Sequence, residues 1–515
     1  MLKFKNYLFI IFATTLFPII CLSQEYIYFE SPICIRAIEK INTDIKKDSI
    51  LFISGIKYIM NDGFSEQFVI GKNKSGTNTS FNYKKLDGFE FEKSENIYHI
   101  WDKNLLKAGV YSELLEKGIQ YSVRNELNEE CVEYINSLNL KGQFFNDLFL
   151  EDYLYTLLNK IHRGILNGKR PGNLYIKIIK DHNPNAFALS NGCIIISTGL
   201  LSTIQSEDEL VGVLAHEVAH FVLDHQILNF NKELDRKKRA EFWAKFATVV
   251  AAGADAYLTY KNENHIPGIL TVSTAIASTI ISEEITTRLG IKYNQEQELE
   301  ADRIAKEILG ALKYDELGLS AALSRIKKYC IITGNYLALS GSGSHPSLES
   351  RISQMGNIND FKKFTQSPYL KKVSLINSFN AWIELWYFAH HLAAEDLSNR
   401  NITNNVGTES DYIVNAIVKR RLYNSEKSNK EVLELLGKAK ELSVAPMIIL
   451  SKEEGISYIR IGKINEAKLS FENYLKSLSE LYEKEKNRCY PKLELNSIEE
   501  EMIWTRKMIF KVANF

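Results

Sequence analysis

His216-Glu217-Val218-Ala219-His220 is the stretch from which the rest of this chain is read. It has the pattern H-E-x-x-H and lies in an apolar run, residues 210–223, of helical character. Residues four apart on a helix are separated by about 400°, so both rings leave the same face. That spacing lets two imidazoles bind one zinc, and Glu217 can reach a water held there. Histidine fills 10 of 515 positions. At that frequency the pattern arises by chance in roughly one such chain in a hundred. The plain alternative is a buried helix with two hydrogen-bonded histidines.

The flanking residues sharpen this. Ser206-Glu207-Asp208-Glu209 is a capping box that starts the motif helix, and its acidic first turn suits the helix dipole. His225 follows His220 by five residues, about 140° off the ligand face, so it should support the site or the fold and not bind the same metal. A third histidine ligand would stand six residues past His220, behind a glycine; this chain has Gln226 and Leu223 there. A glutamate from a later helix remains. Residues 293–305 are a strong helix former, with Glu298 and Asp302 four apart on one face. That spacing fits one carboxylate on the metal and another orienting a ligand histidine. An exposed acidic helix is the plain alternative.

Upstream, residues 173–180 and 193–197 read as strands, and Pro184-Asn185-Ala186-Phe187-Ala188 as a turn between them. Together they form a small sheet beside the motif helix. Asn185, Ala186, Phe187 and Ala188 are the candidate edge on which an extended polypeptide could add as a strand. A hairpin without substrate contact is the alternative.

Length and composition set the frame. A chain of 515 residues holds two to four domains. Lys+Arg and Asp+Glu are balanced at 63 each, which gives no argument for a nucleic-acid partner. Lys3 and Lys5 precede an apolar run, residues 7–20, and small residues lead to a cut near Gln24. This is the form of a secretory signal, and the run is shorter than the ~20 residues a membrane span needs. An uncleaved anchor is the alternative. Ile20 before Cys21 argues against a lipidated cysteine. The five other cysteines are scattered, with no C-x-x-C.

Residues 24–125 read as a separate β-rich module with strands at 49–58, 67–70 and 89–100. His99 falls in the last and reads as packing or surface. From about residue 126 the texture turns helical, including 145–166. The apolar segments 242–257 and 267–282 read as a buried helical hairpin; association with a membrane surface is the alternative. From about residue 361 the chain is helical again. His390-His391, beside Trp382 and Trp386, has no motif partner and reads as packing.

Residues 150–354 resemble the zinc metallopeptidase family of HtpX, the BepA-like periplasmic proteases and the CAAX prenyl protease. Asn185-Ala-Phe-Ala188 with Gly199-Leu-Leu201, His216-Glu-Val-Ala-His220 with His225, Glu298-Leu-Glu-Ala-Asp302, and His345-Pro346 with Arg351 stand in that family's order. The resemblance implies one Zn2+ per chain on His216, His220 and Glu298, with Glu217 as general base. It implies that Asp302 holds a ligand histidine and that His345 and Arg351 line the cleft as catalytic residues. Residues 453–474 resemble a tetratricopeptide unit, with Gly455, Tyr458, Gly462, Ala467 and Phe471 at that repeat's spacing.

The expected fold is mainly α with a small sheet in the peptidase domain. The expected layout is a signal peptide (1–23), a β-rich module (24–125), a zinc metallopeptidase domain (126–360) and a helical, tetratricopeptide-like region (361–515). The expected function is a zinc metalloendopeptidase acting on misfolded or unassembled cell-envelope polypeptides. It would be periplasmic or secreted, with a protein partner on the tail and a membrane surface as a further candidate contact. A zinc-containing chaperone that binds such chains without cleaving them is the alternative.

Overall fold

A computed structural model describes residues 23–61, 64–109, 119–162, 174–233, 293–335, 347–356, 359, 361, 368–445, 447–488 and 493–514. Residues 1–22 of the expected signal segment, the apolar segments 242–257 and 267–282 expected as a helical hairpin, His345 and Cys489 lie outside the described residues. The chain forms two compact units: residues 1–94 with 101–107, and residues 95–100 with 108–515.

The first unit is an antiparallel sheet of five strands, β1 (Ser23–Ala37), β2 (Ile50–Asn61), β3 (Phe64–Asn73), β4 (Asn78–Asn82) and β5 (Phe89–Phe91), in the order β4-β3-β2-β1-β5. Alternation sets its faces: Ile33, Ile35 and Ala37 are buried, whereas Tyr26 and Tyr28 point outward. The strand expected over 89–100 stops at Phe91. Asn96 accepts from the Tyr98 N–H at 2.9 Å and starts α1 (Ile97–Ala108). Ile97, Ile100, Trp101 and Leu105 are buried at helical spacing, so period 3.6 outweighs the local β-branched and aromatic content. His99 is therefore helical.

The second unit begins with α2 (Ile119–Leu140) and α3 (Leu148–His162). A three-stranded sheet follows, β6 (Tyr175–Ile179), β7 (Ala186–Ala188) and β8 (Cys193–Ser197). Its order is β6-β8-β7, with β6 parallel and β7 antiparallel to β8. The stretch expected as a turn before residue 188 thus ends in a short edge strand. Next come α4 (Thr198–Thr203), the motif helix α5 (Glu207–Val222) and α6 (His225–Glu233), then α7 (Gln295–Ala311), α8 (Gly318–Thr333) and α9 (Leu348–Met355).

Helix α5 is the centre of this unit, buried on every side from Asp208 to Val222. The Ser206 side chain caps it by accepting from the Glu209 N–H. The return arm of the capping box reaches one residue further out, with Glu209 accepting from the Gln205 N–H at 2.7 Å. Arg325 of α8 neutralises the buried Glu209. Gly212 lets α8 approach: a Cβ there would stand 2.6 Å from the Leu319 nitrogen.

The tail adds α10 (Pro368–Lys372), α11 (Ser374–Trp386), α12 (His391–Thr403), α13 (Glu409–Leu422), α14 (Glu426–Leu442), α15 (Ile448–Arg460), α16 (Ile464–Lys486) and α17 (Leu495–Ala513). From α11 onward each helix packs on the next. The segment 453–474 forms a helical hairpin from α15 and α16, turning at Gly462 with φ +75°, and Gly455 leaves room for the Phe471 ring. The tail joins the core at α4: Tyr369 donates to the Leu201 carbonyl, and the Asn380 amide donates to Ser202 Oγ at 2.8 Å. The fold is mainly α, with a β-rich N-terminal region, a small sheet beside the motif helix and a helical C-terminal region.

Gly212→Ala tests the packing of α5. Alanine gains about 0.5–1 kcal/mol of helix propensity. Here it must displace backbone, and overpacking costs about 1–3 kcal/mol. The net expectation is a lower urea midpoint; an unchanged or higher midpoint contradicts the close approach.

Candidate metal centre

Two helices build the site. Helix α5 supplies His216, Glu217 and His220, and α7 supplies Glu298 and Asp302. Asn294 and Gln297 cap α7 reciprocally, and that fixes where its first turn, with Glu298, begins. His216 Nε2 and His220 Nε2 are 3.0 Å apart, and Glu298 Oε2 lies 3.6 Å from His216 Nε2. All three ligand atoms lie within 4.8 Å of one another, and all three residues are buried. Ligands at ~2.0–2.1 Å from a tetrahedral zinc stand roughly 3.3 Å apart, which these separations bracket.

The far nitrogen of each histidine is also engaged. His216 Nδ1 lies 2.9 Å from Asp302 Oδ1. His220 Nδ1 lies 2.8 Å from His225 Nδ1, and His225 Nε2 is 3.5 Å from Glu300 Oε2. Such partners fix ring orientation and leave Nε2 for a metal. Tyr293 stacks on His220 with ring centroids 3.6 Å apart and planes 9° apart. The turn between His220 and His225 is held as well. Asp224 has φ +58° and forms a buried ion pair with Arg124 of α2.

Arg351 of α9 closes the carboxylate side. Its Nη2 donates to Asp302 Oδ1 at 2.6 Å and its Nε to Asp302 Oδ2 at 2.9 Å, while Nη1 lies 2.9 Å from Glu298 Oε2. This fork holds the two carboxylates that face the histidines. The sequence suggests a cleft residue at this position; the structure places its guanidinium on the carboxylates.

Burial is the strongest electrostatic influence on Glu217 and raises its carboxyl to about 7; His216 pulls it down and Glu298 pushes it up. The Ala188 N–H faces the Glu217 carboxylate and pulls its pKa down, and Glu217 Oε2 is buried with no hydrogen-bond partner among the described residues. Burial alone would raise Asp302, but its bonds to His216 and Arg351 outweigh that and hold it at about 2. Two imidazoles, a carboxylate and a buried carboxylate oxygen without a partner suit a zinc site with a general base beside it.

Six expected residues thus meet: His216, Glu217, His220, Glu298, Asp302 and Arg351. Ala188 of the edge strand lies beside them, with its N–H facing Glu217; Asn185, Ala186 and Phe187 lead into it. His345 lies outside the described residues. Tyr293 and Glu300 are further members of the site. Tyr293 stands five residues before Glu298, ahead of the helix, where no periodicity marks it. Glu300 is the middle acid of the 298–302 motif, and only its reach to His225 distinguishes it from a solvated face.

Comparison with known proteins matches this part of the chain to peptidases. The model of peptidase family M48 matches residues 156–359. The chain is 26% identical over 193 residues to a putative beta-barrel assembly-enhancing protease of Vibrio cholerae, covering 38% of this chain and 36% of that protein. It is 25% identical over 152 residues to metalloprotease YcaL of Escherichia coli, covering 30% and 50%. It is 32% identical over 160 residues to a protease HtpX homolog of Methylibium petroleiphilum, again 30% and 50%. The match spans half or less of the length of these relatives. Residues 156–359 of this chain, with the motif helix α5 at their centre, are a peptidase M48 domain.

Proposed function

We propose that the chain is a zinc-dependent metalloendopeptidase that hydrolyses peptide bonds in misfolded or unassembled cell-envelope proteins. The observation that carries this is the convergence of His216, His220 and Glu298 beside the buried Glu217. In this reading His216, His220 and Glu298 hold one Zn2+ per chain. A bound zinc supplies Lewis acidity, polarising the scissile carbonyl and acidifying water. Glu217 takes the proton of the attacking water and delivers it to the leaving amine. Its raised affinity for a proton suits that exchange. Asp302 and His225 keep the two imidazoles facing inward, and Arg351 balances the charge of Glu298 and Asp302. His345 remains the candidate for oxyanion contact or for covering the metal.

The edge strand β7 is the substrate strand of this proposal. An extended polypeptide bonding to Asn185–Ala188 would lie next to Glu217. The beta-barrel assembly-enhancing activity named for the Vibrio cholerae relative supports a substrate among envelope proteins. No helix among the described residues is long and apolar enough to cross a membrane. We place the chain in the periplasm or outside the cell, with the tetratricopeptide-like tail docking a protein partner and a membrane surface as a further contact.

Glu217→Gln is expected to lower casein cleavage by about 10²–10⁴-fold, the usual worth of a positioned general base. Zinc content by mass spectrometry should stay near that of the wild type. Unchanged cleavage would remove Glu217 from the mechanism. Glu298→Ala should lose zinc on dialysis, and a variant that keeps its full zinc content excludes Glu298 as a ligand. Asp302→Asn should weaken zinc affinity about 10–100-fold through the orientation of His216. An affinity equal to wild type in a chelator competition contradicts that role.

A further inference from the structure

A second cluster of ionisable groups lies where the tail meets the sheet. Glu384 of α11 is 1% exposed. Its Oε1 accepts from the Tyr329 hydroxyl at 2.5 Å and lies 3.5 Å from His182 Nδ1. Its Oε2 lies 2.7 Å from His390 Nδ1. Burying a carboxylate is costly unless it is paired and hydrogen-bonded, and here three partners from three segments supply that. His390 therefore does more than pack.

The turn after α11 is shaped for this. Ala389 has φ +54°, a left-handed conformation that a side chain rarely adopts, and the His390 N–H returns to the Glu384 carbonyl at 2.8 Å. The turn also places the Phe388 ring on His182, with centroids 3.8 Å apart. Local strain is retained only where the surroundings over-determine it.

The partners on the other side lead to the edge strand. The Tyr329 hydroxyl lies 3.0 Å from His182 Nδ1 and 3.2 Å from the His182 carbonyl. His182 sits in the loop between β6 and β7. The Asp181 carbonyl in that loop accepts from the Gly199 N–H and the Thr198 hydroxyl. Ser197 Oγ donates to the Asn183 carbonyl and accepts from the Asn185 N–H. A Cβ at Gly199 would stand 2.1 Å from the His182 carbonyl oxygen, so the loop lies directly on the start of α4. Three residues past Asn185, Ala188 ends the edge strand, which packs against the motif helix α5 with the Ala188 N–H facing Glu217.

We propose that Glu384 is a positioning residue: through Tyr329 and His182 it fixes the loop 181–185, and so holds the edge strand Ala186–Ala188 in the place where substrate must add. The helical tail is thereby part of the substrate site without touching substrate. A tail partner that shifts α11 would alter substrate binding through this link. The role given to the strand rests on the peptidase reading; the mechanical link does not.

The test uses the full chain, zinc-loaded, as wild type, Glu384→Gln and Tyr329→Phe. Both substitutions keep the size of the side chain and remove part of the hydrogen bonding. Hydrogen exchange of the amides of residues 181–188 should speed up about tenfold or more in each variant, while those of α5 keep their rates. KM for an extended peptide should rise about tenfold with kcat within about threefold, the pattern of lost binding rather than lost chemistry. Zinc content should not change. Exchange and KM both within twofold of wild type in both variants would overturn the proposal. So would protection lost equally across α5, which marks a general loss of stability. Should the wild-type chain cleave nothing, the peptidase reading fails, and the exchange rates still decide the link between Glu384 and the loop.

Discussion

The site depends on a buried pairing of two helices, α5 and α7, across which imidazoles and carboxylates compensate one another. His216, Glu217, His220, Glu298 and Asp302 are all buried. Such groups are costly out of water unless each is bonded. Asp302 answers His216, His225 answers His220, and Arg351 answers both Glu298 and Asp302. One ligand atom from each of His216, His220 and Glu298 lies within 4.8 Å of the other two. Removing one partner would leave another buried and unsatisfied, so the cluster acts as a unit. The all-round burial of α5, the close approach at Gly212 and the Glu209–Arg325 pair keep its backbone fixed.

Much of this arrangement was legible in the sequence because it is periodic. Four-residue spacing places His216 with His220 and Glu298 with Asp302, and Gln226 in place of a third histidine leaves a later acid as the third ligand. Residue 225 read as a supporting position from its angle alone, and the structure gives it a partner in His220. Contacts that join distant segments through side-chain geometry were not legible. The stacking of Tyr293 on His220, the fork of Arg351 on Asp302 and the Arg124–Asp224 pair have no spacing that announces them. The helix at Ile97–Ala108 is hidden in the sequence because its aromatic and β-branched residues resemble a strand, while its N-cap at Asn96 and the burial of every third or fourth residue decide otherwise.

The tail shows the same division. Its helical texture and the Gly455, Gly462 and Phe471 spacing are visible in the chain, and they form a helical hairpin. What the tail does for the peptidase domain is tertiary. Tyr369, Asn380 and Glu384 each reach into the core, and Glu384 reaches the loop that delivers the edge strand. The proposed catalytic constellation on α5 and α7 and the proposed substrate strand at the sheet edge thus rest on two separate frameworks. One surrounds the candidate metal ligands and the other the loop before the edge strand.

The central claim is that His216, His220 and Glu298 form one zinc site. Its most direct test is anomalous X-ray diffraction at the zinc edge, on crystals of the zinc-loaded chain. The account predicts a single peak per chain, bonded to the Nε2 atoms of His216 and His220 and to a Glu298 carboxylate oxygen at about 2.0–2.2 Å. A peak held by other residues, or a loaded chain with no peak between α5 and α7, would contradict it.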